Sequence, residues 1–204
     1  LDKIKALAGK NLANKSDMKE PTNDQLQSLE NLYTQGQYQE VQTQASQLLK
    51  KFANSANLVT IIGLTNKGLG KLNEATEAYT KALTINPDYA EAYNNMGNAL
   101  QAQGKLDEAI EAFKKALSIK PDYAEAYSNM GIALKDQGKL DEAIKAYKKA
   151  LSINPDYAET YNNLGGALQE QGKLEEAIGA YDKAISIKPD YAEVWNNLSI
   201  PLQA

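Results

Sequence analysis

The sequence predicts an all-α protein, a right-handed superhelical solenoid of stacked helix-turn-helix units, and three observations carry that expectation. The phrases NPDYAEAYNNMG, KPDYAEAYSNMG, NPDYAETYNNLG and KPDYAEVWNNLS recur with Pro87, Pro121, Pro155 and Pro189 spaced by 34 residues. A fixed period of that size marks a helical repeat array. Two amphipathic stretches at helical spacing fill each period, and Gly104, Gly138 and Gly172 fall between them.

Taking the alanine after each Asp-Tyr pair as the first position, full repeats run over 56–89, 90–123, 124–157 and 158–191, with a truncated unit over 192–204. Residues 22–55 keep the phase but diverge: Gly36 and Tyr38 hold their places, and Ala53 stands where the proline belongs. Residues 1–21 read as a loosely specified leader in which Ile4, Leu7 and Leu12 supply an apolar face.

Each first helix is expected to start near the alanine, where Asp-x-x-Glu phrases such as Asp88 to Glu91 read as capping boxes after a proline. Glycine then supplies the left-handed residue that ends it, and acids such as Asp107 and Glu108 open the second helix. Tyr93, Met96, Gly97 and Leu100 share one face of a first helix; Leu106, Ala109, Ile110, Phe113, Ala116 and Leu117 share one face of a second. Asn66 occupies a position where an apolar residue is expected. Each unit buries its apolar face on the next, so stability becomes a nearest-neighbour property.

The series Tyr93-x2-Met96-Gly97-x2-Leu100, followed by Ala109, Phe113, Ala116 and Pro121, resembles the tetratricopeptide repeat. The series that begin at Tyr127 and Tyr161 match it equally well, and the unit before Ala90 more weakly. The resemblance covers nearly all of residues 22–200 and implies that first helices line a concave groove that receives a partner segment.

Composition excludes much chemistry. The chain has no cysteine and no histidine, all its basic residues are lysine, and its net charge is −4. Disulfide and thiolate chemistry therefore drop out, as does the bidentate guanidinium fork, and with no basic run nucleic acid is not expected as a partner. NLVTIIGL, the longest nearly apolar stretch, is too short to span a bilayer, and LDKIKALAGK lacks the apolar core of a signal peptide. A cytoplasmic location is the expectation. The chain starts at Leu1 without methionine and stops a few residues into what should be a full helix, so further domains of a parent protein are expected outside it.

The paired asparagines pose the functional question, because asparagine disfavours a helix interior. A helical wheel turns Asn94 and Asn95 away from the apolar face, with Glu91 and Asn98, and predicts that they are not core residues. Stacked units would align Asn95, Asn129, Asn163 and Asn197, with Asn94, Ser128, Asn162 and Asn196 beside them and Glu125 and Glu159 repeating Glu91. An amide both donates and accepts, so such a row matches the backbone of an extended peptide without reading its side chains. It is similar to the asparagine ladder in the superhelix attached to O-linked N-acetylglucosamine transferases, which holds protein substrates. Bridging between adjacent units, or simple exposure to water, are the alternatives.

Asp107-Glu108, Asp141-Glu142 and Glu175-Glu176 recur at second-helix starts, which helix electrostatics explains without catalysis. Tyr93, Tyr127 and Tyr161 lie at core spacing; Tyr89, Tyr123, Tyr157 and Tyr191 leave inter-unit packing and groove contact both open. There is no glycine-rich phosphate loop and no nucleophile-base pair, so no catalytic, metal or cofactor residue is expected. The expected partner is a protein or peptide segment that is not strongly acidic, with no nucleic acid and no membrane. Two other readings stand beside the scaffold: the substrate-recruiting arm of a larger glycosyltransferase or sulfotransferase, and a self-assembly module. In the last, Trp195 and Leu198 form an open apolar end with the second-helix face of residues 174–187.

Overall fold

A computed structural model describes residues 20–199. The expectations for Ile4, Leu7 and Leu12 fall outside the described residues. Among the described residues there are eleven helices and no strand, in two compact units, Leu1–Gly104 and Lys105–Ala204. The boundary divides the repeat over 90–123 between its two helices.

The first unit holds α1 (Asn23–Thr34), α2 (Tyr38–Lys51), α3 (Ala56–Gly68), α4 (Leu72–Ile85) and α5 (Ala90–Ala102), each packed on the next. Leu26, Leu29, Val41, Leu58, Ile61 and Tyr79 are fully buried and form its core. Asn66 is buried too, and the structure supplies its partner: Gln42 Nε2 donates to Asn66 Oδ1 at 3.1 Å. A polar side chain at an apolar position is tolerated when it is hydrogen-bonded.

The second unit holds α6 (Leu106–Ile119), α7 (Ala124–Asp136), α8 (Leu140–Ile153), α9 (Ala158–Glu170), α10 (Leu174–Ile187) and α11 (Ala192–Ser199). Phe113, Tyr147 and Tyr181 fill equivalent places at its centre. Gly138 and Gly172 have φ of 75° and 79°, the left-handed region that ends α7 and α9 where the sequence expects it. Gln137 and Gln171 at those helix ends reach back one repeat: their Nε2 groups donate to Asp107 Oδ1 at 2.8 Å and Asp141 Oδ1 at 2.6 Å. Asp107 and Asp141, which open second helices, thus also tie the repeats over 90–123 and 124–157 to their successors.

The capping boxes are corrected. The residue before α5, α7 and α9 is Tyr89, Tyr123 or Tyr157, and none makes a side-chain capping hydrogen bond. Asp88 lies one residue too early, in a turn where its N–H donates to Asn86 Oδ1 at 3.2 Å. Side-chain caps do occur where the repeat has diverged: Thr22 forms a capping box with Gln25, and Ser55 Oγ accepts from Leu58 N at 3.1 Å.

Candidate peptide-binding face

The two asparagine rows separate by burial. On α5 of the first unit, Asn94 is wholly buried, Asn95 and Glu91 are buried, and Asn98 is half-buried. In the second unit Ser128 and Asn162 are buried, whereas Asn129, Asn163 and Asn197 are half-buried and Asn196 is exposed. The expectation that these amides avoid the interior is therefore corrected for Asn94, Asn95 and Asn162. Helical spacing turned them off the apolar stripe of their own helix, but a wheel drawn for one helix carries no information about what the neighbouring repeat covers.

Asn162 shows what the buried row does. Its Nδ2 donates to Glu193 Oε1 at 3.1 Å, and its Oδ1 accepts from Asn197 Nδ2 at 3.0 Å. Both partners belong to α11, the next first helix. One repeat earlier the same place is taken by Ser128, whose Oγ accepts from Thr160 Oγ1 at 2.9 Å on α9. This row joins successive first helices, and its amide and hydroxyl are satisfied there.

The other row is less covered in the second unit, although Asn197 itself donates to Asn162. Asn129 on α7 and Asn163 on α9 are half-buried, with Glu125 half-buried and Glu159 exposed beside them. Tyr157, in the turn before α9, has its phenol pushed up to about 12 by burial and then by the Glu125 and Glu159 carboxylates. Two like-charged carboxylates close enough to disfavour a phenolate give this face negative potential. Tyr191 is raised as well, by burial and by Glu193 and Glu159. In the first unit, the corresponding Tyr89 is buried and its hydroxyl donates to Asn57 Oδ1 at 2.7 Å. Tyr89 thus ties the turn before α5 back to the start of α3.

At the far end of the second unit Trp195 is 53% exposed, its indole N–H donating to the Pro189 carbonyl at 3.1 Å, while Leu198 is 7% exposed. The apolar end expected from both residues is in fact presented by the indole. Among the described residues there is no group of three or more acids, histidines or cysteines placed to hold a metal ion, and no helix long and apolar enough to cross a membrane.

Helix hairpins stacked through apolar stripes, tied by periodic polar bonds and presenting a face of amides and acids, define a helical-repeat interaction scaffold. The chain belongs to the tetratricopeptide repeat family: a model described as tetratricopeptide repeat matches residues 88–156 and 122–190, and one described as TPR repeat matches 68–104. Its partners are proteins or peptides. By sequence, no curated protein matches it. Among solved structures it is similar to MamA, at 28% identity and a TM-score of 0.69 over 81% of this chain and 96% of that one. TTC0263, a thermophilic TPR protein of Thermus thermophilus, shares its fold at 23% identity and a TM-score of 0.73, covering 89% of this chain and 98% of that one. So does YrrB, described as a TPR protein with an unusual peptide-binding site, at 19% identity and 0.65, covering 89% and 93%.

Proposed function

We propose that the scaffold binds an extended segment of a partner protein across the solvent side of α7 and α9, with the Asn129 and Asn163 side chains hydrogen-bonding its backbone. One observation carries this reading: Asn129 and Asn163 stay half-exposed on successive first helices while their sequence neighbours Ser128 and Asn162 are consumed between repeats. An amide kept at a cost in helix propensity on a half-exposed position is suited to recognition. Glu125 and Glu159 border the row, so acidic segments are disfavoured there and neutral or basic ones fit.

The test starts from a displayed library of random peptides selected on the intact chain. The best binder is then titrated calorimetrically against the wild type and against Asn129→Ala with Asn163→Ala. Each lost contact should cost about 0.5–1.5 kcal/mol. A double variant that binds the selected peptide as well as the wild type, or loses an acidic peptide more than a neutral one, refutes the backbone-reading row.

A further inference from the structure

On the other side of α7 from Asn129, the structure holds a hollow of about 330 Å³ between α6, α7 and α8. Its floor is apolar: Ile110 from α6, Tyr127, Met130 and Leu134 from α7, and Ala146 from α8. Its rim carries Lys114, Lys139, Lys145 and Lys149 against the single acid Glu142. All four lysines are exposed. Lys114 pairs with Glu111 at 2.8 Å, an exposed contact that competes weakly with a ligand. No ion pair engages Lys139, Lys145 or Lys149 among the described residues.

The rim differs from its repeat counterpart at Lys145. One period later Gly179 replaces Lys145, and Lys148, the counterpart of Lys114, lies 3.9 Å from Glu176. The next period keeps three of the four lysines, as Lys148, Lys173 and Lys183 against Glu176, so Lys145 and the absence, among the described residues, of an ion pair to Glu142 set this hollow apart on a chain whose net charge is −4. The volume is at the small end for ligand sites, which run from about 300 to 1,000 Å³, and suits one large side chain rather than a whole cofactor.

We propose that this hollow docks an acidic segment of a partner protein, which inserts one aromatic or large aliphatic side chain over Met130 while its carboxylates meet Lys139, Lys145 and Lys149. Charge complementarity selects this occupant over residues 1–19 of the chain itself, which carry Lys3, Lys5, Lys10, Lys15 and Lys19 against Asp2 and Asp17. An apolar anchor ringed by opposite charges is how compact hot spots gain both affinity and orientation. The site is separate from the amide row and prefers the opposite charge.

The probe is a synthetic peptide with one tryptophan between pairs of aspartate and glutamate. It is titrated calorimetrically, and in parallel by NMR of the protein labelled at its methionine methyl groups. Saturable binding that moves the Met130 resonance and leaves that of Met96 in place is expected. Lys145→Glu with Lys149→Glu, both at exposed positions, should weaken binding roughly tenfold or more, as should alanine in place of the peptide tryptophan. Lys115→Glu with Lys183→Glu, an equal change of charge outside the hollow, should leave affinity within roughly twofold. Four results overturn the proposal: no binding at about 1 mM peptide, equal losses in both double variants, binding without a Met130 shift, or a Met130 resonance that moves with protein concentration alone. The last would make a second copy of this chain the occupant.

Discussion

A β-carbon built on Gly131 would come within 2.5 Å of the Tyr147 ring, and the same holds for Gly165 against Tyr181. The absent side chain is what lets a first helix close on its own second helix. Gly131→Ala should therefore destabilise by about 1–3 kcal/mol through overpacking, despite the better helix propensity of alanine. Gly179, on α10 with nothing within 4 Å of the same construction, should gain up to about 1 kcal/mol as alanine. Urea unfolding of the two variants checks both signs.

Asn162 and Asn163 should part company. Asn162→Ala removes the bonds to Glu193 and from Asn197 and should cost about 1–2 kcal/mol. Asn163→Ala should leave the melting temperature unchanged or slightly raised and show its effect in peptide binding. If Asn163→Ala lowers the melting temperature as much as Asn162→Ala, both rows join repeats and the recognition role is lost.

Burial raises the phenols of Tyr79 and Tyr147 above the ordinary tyrosine value, with Asp136 and Glu170 adding to the effect at Tyr147. A raised folded value means the neutral phenol is favoured in the fold. The stability is complete below the unfolded value of about 10 and is lost as the pH rises beyond it toward the folded value. Alkaline unfolding followed by circular dichroism should therefore begin above about pH 10. Tyr147→Phe should push the transition to higher pH at little cost near neutrality, since the Tyr147 hydroxyl is buried without a hydrogen-bond partner. Tyr181→Phe should be less favourable, because Tyr181 Oη donates to Gln169 Oε1 at 3.1 Å.

Trp195 and Leu198 sit on the same short helix but should respond oppositely to charge. Leu198→Lys buries an ammonium and should cost about 2–4 kcal/mol, whereas Trp195→Glu, at an exposed position, should stay within about 1 kcal/mol. The single variant Trp195→Glu is thus the clean probe of self-association through this end. Sedimentation at high concentration should show association in the wild type and its loss in the variant; equal behaviour excludes the indole as the contact.

Much of this molecule was legible in one dimension, because a repeat writes the same physical problem several times. The 34-residue period and the glycines that end first helices follow from spacing and from chirality at glycine, and the family from residue series that resemble its repeat. Contacts between one repeat and the next were not legible. Whether Asn162 or Asn163 faces a neighbour, why Asn66 is tolerated, and where Gln137 finds Asp107 depend on side chains about 24 to 35 residues apart. Helical periodicity resolves the face of a single helix, and two adjacent polar residues differ there by only about 100°. The burial of Asn94, Asn95 and Asn162, like the lysine-rimmed hollow, was decided only when neighbouring helices covered one side of that arc more than the other.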